Sequence, residues 1–236
     1  MVDRGGAGVT TKDIGGTIAR LLLEAGAVRF MLERPFTLAA GWASPVYVDC
    51  RVLIGDPAAR RAVTACAVEA VRSAFAPGEV AVIAGAETAG IPYAAWLADA
   101  LDLPLAYVRK RPLGIGRNAQ VEGADVDKRR VLLVDDLTTD GSGKVAFTRG
   151  LRMAGADVRD ALTIFYNGVF PGVVERLRTE RVSLLSLATW DDILRTDVGQ
   201  RLSAEDRAVL HEFRNDPIAW STRHGGRSLA ATRRAR

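Results

Sequence analysis

Val131-Leu132-Leu133-Val134-Asp135-Asp136-Leu137-Thr138-Thr139-Asp140-Gly141-Ser142-Gly143-Lys144 is the run around which the rest of the chain is organised. Four branched apolar residues bounded by charge predict a short strand buried on both faces, as in the middle of a parallel sheet. Asp135 and Asp136 stand at its C-terminal end. Small residues follow, and then Val145, Ala146, Phe147, Leu151, Met153 and Ala154 recur at helical spacing before Gly155 stops the helix. The order is strand, acidic pair, small-residue loop, helix N-terminus.

Each part has a chemical use. Small residues let backbone N–H groups come close to an oxyanion, and a helix N-terminus adds a favourable dipole, so a phosphate fits at residues 138 to 143. Asp135 and Asp136 reject a bare phosphate at contact range but suit sugar hydroxyls or a hard cation such as Mg²⁺. An ATP-binding P-loop is excluded. Thr138 stands where that motif needs a glycine before Gly143-Lys144, and Val145 replaces its metal-binding hydroxyl.

Working outward, strands alternate with helices. Val80–Ala84 predicts a strand ending at Gly85-Ala86-Glu87-Thr88-Ala89-Gly90-Ile91-Pro92, with a helix from Tyr93 to Leu101. Leu105–Val108 predicts the next strand, ending at Arg109-Lys110-Arg111. Residues 112 to 127 are glycine-containing and lack periodicity, which suggests a loop able to close on a ligand. Strands over 160–165 and 182–188 bracket a helix over 171–180. This alternation implies an α/β fold built on a doubly wound, mostly parallel sheet, in which ligands bind at the carboxyl ends of the strands. Three strand ends then converge: 85–90, Arg109 to Arg111, and 135–143. Two backbone-lined loops flanking three cations suit a ligand with several phosphates and a sugar.

The flanks divide the chain further. Residues 1–12 carry no apolar periodicity and read as a disordered tail. Residues 13–56 hold a helix capped by Asp13, and then a small separate β layer with alternation from Val46 to Val52. The core spans 57–188, opening on a helix with Pro57 at its first position. Residues 189–222 read as a helical extension, with Ser203 as an N-cap and a break at Asp216-Pro217. Residues 223–236 form a basic tail, read as a disordered terminus or an anion-touching arm. Its five arginines exceed the net charge of +4, so the rest of the chain is slightly acidic and nucleic acid is not the expected partner. Two cysteines make no disulfide framework, and no apolar run reaches the length of a membrane span, so a cytoplasmic protein is expected. His211 and His224 are isolated and fit surface or packing roles.

The order of apolar strand, Asp135-Asp136, Thr138-Thr139 and glycine-rich loop resembles the phosphoribosyl pyrophosphate motif of type I phosphoribosyltransferases. Phe36-Thr37-Leu38, Gly41, Ser44-Pro45 and Tyr47-Val48-Asp49 are similar to the N-terminal signature of orotate phosphoribosyltransferases, and residues 85–92 and Arg109-Lys110 support the same likeness. The resemblance runs from about Phe36 to Gly172. It implies transfer of phosphoribosyl from phosphoribosyl pyrophosphate to N1 of orotate, giving orotidine monophosphate in pyrimidine (UMP) synthesis, with Mg²⁺ on the donor. It assigns Asp135 and Asp136 to the ribose hydroxyls and the metal. Thr138, Thr139, Asp140, Gly141, Ser142 and Gly143 go to the 5′-phosphate, and Leu137 and Thr88 join them at the donor. Arg109 and Lys110 go to pyrophosphate, with Arg111 as a further cation, and these three join the two aspartates as the catalytic set. Thr139 and Phe36 face orotate, residues 36–51 form a hood over the base, and a homodimer shares the 112–123 loop between active sites.

The sequence departs from that pattern at several places. The family's loop lysine, three residues after the Arg-Lys pair, is here Leu113, and the His or aromatic two further on is Ile115. Ala39 stands where many members have lysine, and no arginine lies near Tyr166 for the orotate carboxylate. Two alternatives follow: a phosphoribosyltransferase for another base, and a donor-sensing regulator with weakened catalysis.

Overall fold

The computed structural model describes residues 14–31, 34–38, 41–112, 120–196 and 202–228. Its first element, α1 (Ile14–Glu24), buries Ile18, Ala19 and Leu22 on one face. Two antiparallel ribbons then form the small β layer: β1 (Val28–Phe30) pairs with β4 (Val46–Val48), and β2 (Phe36–Thr37) with β3 (Ala43–Ser44). The strand expected to reach Val52 stops at Val48. Asp49 accepts the Arg51 backbone N–H and caps a short 3-10 helix, Cys50–Gly55, which competes with further extension. Helix α2 (Pro57–Ala74) follows with Asp56 as its N-cap.

The main sheet has six strands: β5 (Val82–Ala86), β6 (Leu105–Val108), β7 (Val121–Gly123), β8 (Arg130–Thr138), β9 (Asp157–Tyr166) and β10 (Ser183–Thr189), in spatial order β10-β9-β8-β5-β6-β7. All neighbours are parallel except β6 and β7. The central pair is buried on both faces, as the apolar runs require: every residue of β5 is inaccessible, and Val131 to Val134 are at most 1% exposed. One core cluster packs Leu132, Val134, Leu162 and Ile164 against α1, α2 and α3 (Gly90–Leu101). The other packs Val131, Leu133 and Ala161 against Phe147 and Leu151 of α4 (Ser142–Met153). Helix α5 (Val173–Thr179) precedes β10.

Several boundaries differ from the sequence reading. Strand β5 begins at Val82, so Gly85 and Ala86 lie in the strand and the turn starts at Glu87. Strand β8 runs on through Thr138, paired with β9 throughout, so both carboxylates belong to the strand. Helix α4 starts three residues before Val145, and Met153 is 76% exposed and does not join its apolar face. Within the expected 112–127 loop, residues 121–123 form the antiparallel edge strand β7; residues 113–119, with Leu113 and Ile115, lie outside the described residues. So do residues 1–13, Ala39 and 229–236.

After α6 (Trp190–Arg195), the extension holds α7 (Ala204–Asn215), capped by Ser203 as expected, and α8 (Pro217–Arg223). Asp216 does break α7, but Pro217 is tolerated at the first turn of a new helix and begins α8. The chain stays packed through Arg227, whose N–H bonds Gly41 O, so residues 223–228 are not a free tail. No helix among the described residues is long and apolar enough to cross a membrane.

Candidate active site

The site begins with two glycines that let the elements close on one another. At Gly90, the first residue of α3, a Cβ would sit 2.5 Å from Val134 O and 2.9 Å from Asp135 Cα, so only glycine lets the helix touch the strand there. At Gly141 the backbone takes φ +75, which turns the chain from Asp140 into α4. Asp140 Oδ1 accepts the Ser142 N–H at 3.0 Å and its hydroxyl at 2.7 Å, which fixes that turn.

The result is a cavity of about 210 Å³ lined by Lys110, Asp135, residues 137–143 and Lys144. The sequence-predicted loop and one predicted cation are thus brought together from two separate strand ends. Thr138 is 1% exposed and its Oγ1 has no partner among the described residues, leaving an unused hydroxyl beside the cavity.

Electrostatics within the acidic pair are uneven. Lys144 Nζ lies 2.5 Å from Asp135 Oδ2 and 2.8 Å from Leu137 O. At Asp136, burial and then the adjacent Asp135 charge outweigh the nearby Lys144 and push the carboxyl up to about 7. Asp136 also acts on residues of the first core. With burial as the main cause, its charge helps raise the Cys50 thiol and the Tyr93 hydroxyl, whose O–H donates to Cys50 O at 2.6 Å. Arg51 is held by Asp49 and by Tyr47 Oη at 3.0 Å, and also lies within the field of Asp136.

Other predicted residues stand elsewhere. Arg109 donates to Glu122 from Nε at 2.7 Å and lies 3.5 Å from Glu87, so its charge is shared with carboxylates of β7 and of the β5 turn. Lys110 donates its backbone N–H to Glu87 at 2.8 Å, leaving its side chain at the cavity. Arg111 and Thr88 are exposed and outside the cavity lining. Phe36 packs against Tyr47, ring centroids 5.3 Å apart, in the β layer and away from the phosphate-sized cavity. Sequence reasoning missed Lys144, noted only as the end of a failed P-loop, and Arg51, whose signal was its place right after Tyr47-Val48-Asp49-Cys50. Among the described residues no group of three or more His, Cys, Asp or Glu side chains could hold a metal alone.

Comparison with known proteins gives this arrangement a family. Residues 54–168 match the model of the phosphoribosyl transferase domain. The orotate phosphoribosyltransferase of Rhizobium rhizogenes is 42% identical over 218 residues, covering 92% of this chain and 94% of that relative. That of Cereibacter sphaeroides is 45% identical over 215 residues, covering 89% and 90%. The crystal structure of orotate phosphoribosyltransferase from Aeropyrum pernix superposes with a TM-score of 0.60 and 32% identity, covering 75% of this chain and 96% of that one. Identity of this level across nearly the whole chain, on a fold whose acidic strand end and small-residue loop meet as the sequence requires, leaves one assignment: the chain belongs to the orotate phosphoribosyltransferase family.

Proposed function

We propose that the protein transfers phosphoribosyl from phosphoribosyl pyrophosphate to orotate, forming orotidine monophosphate and pyrophosphate. The observation that carries this reading is the 210 Å³ cavity joining Lys110 to the loop of residues 137–144. The 5′-phosphate takes the amides of Thr138 to Gly143 and the α4 dipole. Asp135 and Asp136 accept from the ribose hydroxyls, with Lys144 holding the first of them in place. Thr139, at the cavity, and Phe36, in the hood, are assigned to orotate, and Arg51 is the guanidinium on the acceptor side.

The chemistry then rests mainly on fixed charge. As the C1–pyrophosphate bond breaks, C1 becomes cation-like and negative charge grows on the leaving group; Lys110, with Arg109 and Arg111, stabilises that charge. Orotate N1, its proton given up to solvent or to the departing pyrophosphate, bonds to C1 as the C1–O bond breaks, and exclusion of water keeps that carbon from hydrolysis. Mg²⁺ fits this donor set as a cation held chiefly by the substrate. Two adjacent carboxylates, one of them raised toward neutral by burial and then by its neighbour's charge, welcome a positive partner but supply too few ligands to bind one alone. When bound, it neutralises pyrophosphate charge. We assign the working form as a homodimer sharing the 112–123 loop.

The test is the absorbance change of orotate on adding phosphoribosyl pyrophosphate and Mg²⁺, with Leu113→Lys beside the unaltered protein. Turnover by the unaltered protein supports the assignment. Turnover by the variant alone points to an orotate site on a weakened catalyst, and silence from both removes orotate as the acceptor.

A further inference from the structure

The C-terminal helices reach back across the molecule to the hood. Ser221 of α8 is fully buried; its Oγ accepts the Ala43 backbone N–H at 3.0 Å and donates to Arg227 O at 2.9 Å. The Arg227 N–H donates to Gly41 O at 2.7 Å, and its guanidinium lies 5.3 Å from the centre of the Trp42 ring. Gly226 is pressed so closely on this strand that a Cβ would come within 2.3 Å of Ala43 N. Apart from the Ser221–Arg227 bond, these contacts land on residues 41–43, the turn and return strand of the β2–β3 ribbon.

The same residues are fastened from below by aromatic rings. Trp42 stacks on Phe170 at 5.2 Å, Phe170 meets Phe213 of α7 edge-on at 5.8 Å, and Phe213 meets Trp220 of α8 at 5.5 Å. Rings in such contact resist independent motion, because each displacement opens a void on the next. The ribbon itself is two residues per strand, too short to hold its own register. Its geometry must come from what it packs on.

We propose that the α7–α8 pair is a strut that positions the acceptor side of the active site: it fixes Gly41 to Ala43, and through the β2–β3 pairing it sets Phe36 and Thr37. The second half of this proposal rests on the reading of the ribbon as the hood over orotate. Ser221, Trp220 and Arg227 are positioning residues, since none touches the donor cavity. The strut acts on the acceptor and leaves the donor loop, 137–144, untouched.

The test uses the full chain and two readouts. Hydrogen exchange without substrates follows the amides of Ala43 and Leu38, the latter bonded to Trp42 O at 2.8 Å. Ser221→Ala is expected to speed both about tenfold and to leave Val82 to Ala86 unchanged. In turnover it should raise KM for orotate about tenfold while KM for phosphoribosyl pyrophosphate stays within about twofold. Arg227→Met, at the outer end of the strut, should give the same selective pattern, more weakly, in a protein with an unaltered Tm. Unchanged exchange at Ala43 overturns the proposal whatever the activity, as do equal rises in both KM values. Accelerated exchange in a protein that never turns over orotate would uphold the strut and refute orotate as the acceptor.

Discussion

Lys144 Nζ sits 2.5 Å from Asp135 Oδ2, and its side chain is only 2% exposed. A buried ammonium beside the acidic pair makes the two aspartates unequal: Asp135 is paired with a cation of the protein itself, whereas burial and the neighbouring carboxylate hold Asp136 toward its neutral form. Removing one partner of a buried pair leaves the other uncompensated. Lys144→Met is expected to lower unfolding free energy by about 3 kcal/mol and to weaken phosphoribosyl pyrophosphate binding about tenfold, since the site gains a net negative charge. Urea denaturation and donor titration check this. A stable variant with unchanged donor affinity would remove Lys144 from the site.

Asp136 should make the substrate-free protein more stable in mild acid. Its folded carboxyl is raised to about 7 from an ordinary 3.8, chiefly by burial and then by Asp135. The folded state therefore binds a proton more tightly than the unfolded chain does, and stability is lost as pH climbs between those two values. The expected loss from pH 5 to pH 7.5 is on the order of 2–3 kcal/mol, and Asp136→Asn should abolish most of it. Urea midpoints of both proteins at the two pH values provide the measurement. Parallel pH profiles would show that Asp136 titrates normally.

How much of this could be read in the sequence depended on whether the signal was local. The buried strand at Val131 to Val134 declared itself because burial on both faces demands an unbroken apolar run, and α2 because Pro57 marks a helix start. Strand β7 was hidden: its three residues pair on one side only and are half-buried or exposed, so no apolar pattern separates Val121–Gly123 from a loop. Lys144 was legible as a residue but not as a partner, because its reach to Asp135 depends on Gly141 turning α4 three residues earlier than apolar spacing suggested. The Ser221–Ala43 bond spans 178 residues, a separation no periodicity encodes.

Gly90 should tolerate no side chain. Its missing Cβ faces Val134 O at 2.5 Å and Asp135 Cα at 2.9 Å, both backbone atoms that cannot rotate away. Gly90→Ala would push α3 off β8 at the residue that carries the first carboxylate. We expect a loss of about 2 kcal/mol in stability and a further drop in donor affinity beyond what the stability change accounts for. Thermal unfolding with and without phosphoribosyl pyrophosphate separates the two, because ligand protection should shrink in the variant. Full protection would mean the strand accommodates the methyl group without moving Asp135.

The neighbouring cations Arg109 and Lys110 are predicted to fail in different ways. Arg109 is bound to Glu122 and shared with Glu87, so in the free protein its charge is already answered. Lys110 anchors only its backbone to Glu87 and presents its side chain to the donor cavity. A cation that meets developing charge on pyrophosphate contributes most in the transition state, so Lys110→Met should lower kcat about 100-fold with little change in Tm. Arg109→Met removes the cation shared by Glu122 of β7 and Glu87 of the β5 turn, leaving them only the Tyr107 hydroxyl and the Lys110 N–H. Its main effect should be a lower Tm, with kcat reduced about tenfold or less. Steady-state kinetics and thermal unfolding of the two variants side by side decide the matter. Equal kinetic losses would mean that Arg109 leaves Glu122 when the donor binds and serves pyrophosphate as fully as Lys110 does.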